Sequence, residues 1–182
     1  MKVVMVLGTP GVGKSAVCSE LAQRLQVPHL ELTELSGNVT EVDPRALSAR
    51  SSSILKRHGG GVISSHIVFK PRAVRVMKAI VLRRDPLELI EVLRSRGYDE
   101  PKVAENVEAE FIGLIYWEAV RKFGRRFVLQ LDVTNRELVE VIELAHRAIT
   151  GERIREEVDW MSDLPDDRLE KLLRYLSSVT LL

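Results

Sequence analysis

The sequence of 182 residues predicts an α/β fold built on a mostly parallel sheet. Three observations carry that expectation. Val3 to Leu7 is a continuous, largely β-branched apolar run, the pattern of a central strand covered on both faces. A glycine-rich turn follows, and from Lys14 the apolar positions Val17, Leu21 and Leu25 recur at helical spacing until Pro28 ends the pattern. Beyond that point, short apolar runs and amphipathic segments keep alternating.

Each later element has a local cause. A short extended segment is expected at His29 to Leu32. A polar helix follows from Asp43 to about His58, with Pro44 suited to a first turn, and Gly59, Gly60 and Gly61 break it. Val62 to Ser65 and Lys78 to Leu82 read as buried strands. Asp85-Pro86 opens an amphipathic helix that ends near Arg96-Gly97. Pro101 begins one long helix reaching about Phe123, with Tyr116 and Trp117 expected in the core. Phe127 to Leu131 is the last strand, and Asn135 to Ile149 a helix with Leu138, Val141, Ile142 and Ala145 on its apolar face. Gly151 separates a core at residues 1–150 from a C-terminal helical extension at 151–182. Its apolar residues Ile154, Val158, Trp160, Leu164, Leu169, Leu172, Leu173 and Leu176 fit one or two helices packed on the body, or an arm that docks a partner.

Composition excludes several classes. Hydrophobic residues at 45% and charged residues at 29% rule out a disordered chain or a collagen-like fibre. With 27 basic and 26 acidic side chains the net charge is +1, so no global field draws the protein to nucleic acid or an anionic membrane. The charge is uneven along the chain: residues 1–75 are net +5 and residues 151–182 net −3. One cysteine, Cys18, cannot form an internal disulfide or a thiolate metal site, and its place on the first helix predicts a buried, inert thiol. That usage fits a reducing compartment, and a cytoplasmic protein is expected. The opening apolar run stops after five residues at Gly8, too short for a signal-peptide core or a membrane span, so no membrane partner is expected.

The chemistry concentrates in Gly8-Thr9-Pro10-Gly11-Val12-Gly13-Lys14-Ser15, which fits G-x-x-x-x-G-K-[ST] between a strand and a helix. A phosphate chain must be wrapped by backbone N–H groups, and glycine permits both the tight turn and the close approach. Together with the helix dipole, the amides of Gly11, Gly13 and Ala16 would hold the phosphate chain of a nucleotide. Lys14 would take its β- and γ-phosphates, and the Ser15 hydroxyl would ligate Mg²⁺. The fold class is therefore that of a P-loop NTPase. No Asn-Lys-x-Asp guanine-reading motif occurs.

The loop, together with Val81-Leu82-Arg83 and Asp85, Arg96-Gly97-Tyr98, Asn106, Glu110, Tyr116 and Glu118-Ala119, resembles the adenylate kinase isoenzyme 6 family. The likeness covers residues 1–32 and 59–150. It implies an adenylate-kinase-like three-layer fold around a parallel central sheet, with an acceptor-binding region at about 31–58 and a short lid at about 95–105. It also implies the reaction of ATP with AMP to give two ADP, an accompanying ATPase activity, and a link to small-ribosomal-subunit maturation through a ribosomal protein or rRNA. Arg96 falls on the family's lid arginine that contacts ATP, and Thr134-Asn135-Arg136 on its adenine-contacting loop. Arg83 and Arg84, which follow a predicted strand, are further candidates for contact with a ligand.

Two departures matter. His66 sits on the histidine that closes the family's Asp-x-His motif, which puts Ser64 on its aspartate, the residue that orients the magnesium shell. Either Ser64 with a water supports the ion and activity is weakened, or the protein binds nucleotide with little phosphotransfer. Between Leu35 and Gly59, Arg45, Arg50, Ser51, Ser52, Ser53, Lys56 and Arg57 replace the family's acidic cluster. That stretch would hold a different small phosphate acceptor, meet RNA phosphates, or form a solvated basic face.

Overall fold

A computed structural model describes residues 2–31 and 43–180. Five parallel strands, β1 (Lys2–Leu7), β2 (His29–Glu31), β3 (Gly60–Ser65), β4 (Lys78–Arg83) and β5 (Val128–Asp132), form one sheet in the order β2-β3-β1-β4-β5. The apolar run of β1 is central for the predicted reason: Val3 to Leu7 are fully buried, and alternate residues feed two cores. Val4 and Val6 face helices α1 (Lys14–Leu25), α3 (Pro86–Ser95) and α6 (Leu138–Thr150). Val3, Met5 and Leu7 face α2 (Pro44–His58) and α5 (Leu114–Phe123). Strand order reverses on either side of β1, so ligands are expected above its C-terminal end.

Several expectations shift. The stretch from Pro101 to Phe123 is two helices, α4 (Glu100–Phe111) and α5, because Gly113 adopts left-handed φ +67° and ends the first. Gly60 and Gly61 do not extend the break after α2 but begin β3; a Cβ on Gly61 would stand 2.7 Å from Leu55 Cδ2, so glycine lets α2 lie against the sheet. Of the predicted apolar face of α6, Val141, Ile142 and Ala145 are buried but Leu138 is exposed. Tyr116 is in the core, whereas its neighbour Trp117 is 58% exposed. Cys18 is fully buried, as expected.

The chain after Gly151 packs on the body. An extended strap leads to α7 (Trp160–Asp163) and α8 (Asp166–Thr180), and Val158, Trp160, Leu164 and Leu172 join the α1-side core. On α2 only part of the basic stretch faces water: Ser51 and Ser52 are buried and donate to Ser48 O, while Arg45, Arg50, Ser53, Lys56 and Arg57 are exposed. The first part of the expected acceptor-binding region, residues 32–42, lies outside the described residues. Among the described residues no helix is long and apolar enough to cross a membrane.

Candidate functional site

Between β1 and α1 the chain makes a turn that only its glycines permit. A Cβ on Gly8 (φ +147°) would stand 2.7 Å from Leu82 O, and one on Gly11 (φ +96°) 2.7 Å from Leu89 Cδ1. Gly13 (φ +91°) has open space but left-handed backbone, and it is the N-cap of α1. No side chain caps that helix end. By contrast α2, α3 and α4 begin with Asp43, Asp85 and Asp99, whose carboxylates accept from the amides of Arg45, Leu87 and Lys102. The amides at the start of α1, with exposed Ser15 and Ala16 beside them, therefore present a partial positive charge outward, the arrangement that receives anions.

Lys14 is half-buried at this opening, and its Nζ donates to Thr9 O at 2.8 Å. Burial lowers its ammonium pKa from 10.5 to about 8; Arg96 pushes it further down, while Cys18, Glu31 and Glu110 pull it up. A cation whose main partner is a neutral carbonyl is under-compensated, and a polyphosphate would supply the missing charge.

The loop is anchored from α4. Thr9 Oγ1 donates to Glu110 Oε2 at 2.7 Å. The other carboxylate oxygen, Oε1, accepts from Arg83 Nε (2.7 Å), Trp160 Nε1 (3.1 Å) and the Arg84 amide (3.2 Å). Arg83 is buried and spends its remaining donors on Gln130 Oε1, Glu110 O and Val158 O. This corrects the reading of Arg83 as a ligand-contacting residue: its guanidinium points into the protein. Asp85 is also occupied, accepting from Leu87 N and from Arg168 at 2.6 Å.

Strand β3 runs through Ser64 and Ser65, both buried. Ser64 lies near Cys18 of α1, whose thiol burial pushes well above its ordinary pKa. Ser65 is used locally, its hydroxyl donating to Ile67 O and accepting from Ile67 N. His66 follows as an exposed side chain whose pKa is lowered by partial desolvation and by the nearby cations Lys14 and Lys102. In register with Ser64, on the neighbouring β2, stands Glu31.

Arg96 caps the C-terminus of α3, exposed, and lines an open groove with Gly97, Tyr98, Pro101 and Lys102. Its positive charge is one of the influences that lower the Lys14 pKa. The connection from Arg96 to Asp99 is bracketed by a bidentate pair, Arg94 Nε and Nη2 to Glu100 at 2.6 and 3.0 Å. Tyr175 of α8 donates to the same carboxylate at 2.9 Å. At the opposite side, Thr134 accepts from the Asp85 amide, Asn135 is left-handed (φ +53°), and Arg136 Nη1 donates to both oxygens of Glu156 at 2.9 and 2.8 Å. The structure thus brings Gly11, Gly13, Lys14, Ser15 and Ala16 together, with the Arg96 charge acting on Lys14 and the Lys14 charge acting on His66, and sets Arg83 apart from them.

For a divalent cation the chain offers oxygen: the Ser15 hydroxyl, the Ser64 hydroxyl and the Glu31 carboxylate on the side of the sheet that carries the loop. Among the described residues no group of three or more His, Cys, Asp or Glu could hold an ion alone. Such a set fits Mg²⁺, a hard ion that keeps several waters and is shared with substrate phosphates. It does not fit a soft metal.

A parallel sheet with its glycine-rich loop and lysine at the switch point defines a P-loop protein of the nucleotide-kinase kind. Residues 4–113 match a family model described as an AAA domain. The chain is 32% identical to a protein of Archaeoglobus fulgidus named "Putative adenylate kinase", over 94% of this chain and 98% of that one. It is 30% identical to a protein of the same name from Pyrobaculum aerophilum, over 86% and 84%. The chain therefore belongs to the adenylate-kinase-like family of P-loop proteins. Solved structures agree on the fold: a gluconokinase from Sinorhizobium meliloti superposes with TM-score 0.55 at 16% identity, covering 99% of this chain and 96% of that one.

Thr9, Glu110 and Glu31 were not assigned a role from the sequence. For Glu110 a signal existed: it continues the buried face of Val103 and Val107 at helical spacing, and a carboxylate there requires partners.

Proposed function

We propose that the protein is an ATP-dependent nucleoside monophosphate kinase that transfers the γ-phosphoryl group of ATP to AMP, giving two ADP, with slow ATP hydrolysis as a companion activity. The observation that carries this is Lys14 at an uncapped helix start, half-buried and balanced chiefly by a carbonyl. The amides of Gly11, Gly13 and Ala16 bind the phosphate chain, Lys14 spans its β- and γ-phosphates, and Ser15 ligates the ion. Bound Mg²⁺ neutralises charge on the phosphates. Arg96, carried on the segment at 95–105, meets the oxygens of the transferring group when that segment closes. In the transfer an oxygen of the AMP phosphate bonds to the γ-phosphorus as its bond to the β,γ-bridging oxygen breaks, and ADP leaves. His66 positions a water or phosphate near Lys14. The remaining work is alignment, which phosphoryl transfer rewards.

Ser64, where the resembled family has aspartate, favours a second reading: an ATP-gated factor that holds a small-subunit ribosomal protein or rRNA and has weak or no kinase activity. A coupled assay for ADP with ATP and each nucleoside monophosphate tests the first. Turnover with AMP that is lost in Lys14→Met supports the kinase; no ADP from any acceptor defeats it. A pull-down from lysate with and without ATP then separates the second, since a ribosomal factor retains ribosomal components in a nucleotide-dependent way. A cytoplasmic location is proposed on the same footing and is read by cell fractionation.

A further inference from the structure

We propose that Glu31 supplies, from strand β2, the magnesium-facing carboxylate that β3 lacks at Ser64. The inference rests on the ATP reading above and deepens it. Strands β2 and β3 are parallel with Glu31 opposite Ser64, and Ser64 is opposite Val6, so the three residues form one row across the sheet. Alternation fixes the face. Val4 and Val6 contribute to the core under α1, whereas Val3, Met5, Leu7, Leu30 and Ile63 face the other side. Glu31 and Ser64 therefore look toward α1. There Cys18, one turn after Lys14 on the same helix face, packs in the core with Val6 and Val62, the strand neighbours of Ser64. The row that carries Glu31 thus ends beneath the residues that open the loop.

Two other acids near the loop serve the fold. Lys14 feels two carboxylates, Glu31 and Glu110, and both oxygens of Glu110 are committed to Thr9, Arg83, the Arg84 amide and Trp160. Asp85 caps α3 and pairs with Arg168. His29 Nε2 stands 3.1 Å from Glu31 Oε1 on the same strand face. β2 lies one strand, about 4.8 Å, farther from the loop than β3. The extra methylene of glutamate and one retained water of the ion's shell cover that distance, which makes this an outer-sphere role suited to magnesium.

The test is calorimetric titration of ATP into the purified full-length protein, with Mg²⁺ and with EDTA, for the parent, Glu31→Gln and Glu31→Gln/Ser64→Asp. For Glu31→Gln the two arms should move in opposite directions. Metal-free ATP binds more tightly, because a negative charge facing the phosphates is gone, while the tightening produced by Mg²⁺ falls by about tenfold to a hundredfold. Ser64→Asp on that background restores the magnesium effect, and Mn²⁺ bound with nucleotide, read by electron paramagnetic resonance, follows the same order. A Glu31→Gln protein with the parent's full magnesium effect overturns the proposal. So does equal loss of ATP binding with and without metal, or failure of Ser64→Asp to rescue, either of which marks Glu31 as structural. If the parent itself binds no ATP in either arm, it is the kinase reading that has failed.

Discussion

Lys14 and Arg83 are cations at the same edge of one sheet, at the start of α1 and the end of β4, and they live under opposite conditions. Arg83 is buried and its donors are filled by Glu110, Gln130 and two backbone carbonyls. Lys14 is half-buried, with a carbonyl as its hydrogen-bond acceptor and Arg96 as a repelling neighbour. A buried charge that the protein completes by itself belongs to the architecture. One left incomplete at an open helix end is completed by something else. The difference tells the structural arginine from the ligand-seeking lysine, which residue type and position alone do not.

The comparison breaks most visibly at Glu110. Replacing it with alanine leaves Arg83 charged and unpaired in the interior, frees Thr9, and removes the acceptor of Trp160. A loss of about 3–5 kcal/mol is expected in denaturant unfolding, the cost of orphaning one member of a buried pair. Glu110→Gln keeps the shape and should lose less. A protein that tolerates Glu110→Ala without loss would show that Arg83 is not completed internally, and the contrast with Lys14 would collapse.

At Lys14 the sign reverses. Lys14→Met removes a desolvated charge, so the ligand-free protein should gain about 1–2 kcal/mol of stability at neutral pH, while ATP affinity falls about tenfold to a hundredfold. The same asymmetry appears in the pH dependence. The folded pKa of about 8 lies below the unfolded 10.5, so between those values the unfolded chain binds more protons, and this group makes stability rise with pH. Below about pH 8 the lysine is charged in both states and its burial penalty is constant. Chemical unfolding from pH 7 to 10.5 should show the upward contribution in the parent and its absence in Lys14→Met.

Much of this was readable beforehand, for reasons that separate local from distant causes. The β1 run, the helical spacing after Lys14 and the loop pattern are written within a few residues of one another, and the structure places them as expected. The helix starts at Asp43-Pro44 and Asp85-Pro86 follow from the same short-range chemistry. What escaped depends on partners far along the chain. Arg83 reads as a ligand-facing arginine until Glu110, Gln130 and Val158 close around it, and Trp160 gives no sign that it reaches Glu110 fifty residues earlier. The single helix expected over Pro101 to Phe123 failed for a nearer cause: the left-handed Gly113 lies against the Arg83 guanidinium, with Arg83 Nη1 only 3.3 Å from where its Cβ would be. Glu31 carries no local signal, because strand register, which sets it beside Ser64, is not visible in a segment of three residues.

A third cation extends the contrast at its weak end. Arg168 of α8 donates to Asp85 Oδ2 at 2.6 Å, but its side chain is 41% exposed, so water replaces whatever the pair provides. Asp85 keeps its role as the cap of α3 without it, since the other carboxylate oxygen accepts from Leu87 N. Arg168→Ala should therefore cost no more than about 1 kcal/mol, and the cost should shrink further as salt is raised. Urea unfolding of parent and variant at low and high ionic strength checks both parts. A larger, salt-insensitive loss would mean that this pair is shielded as Arg83 is, and that α8 is held on the body by a buried charge in addition to Leu172 and its apolar neighbours.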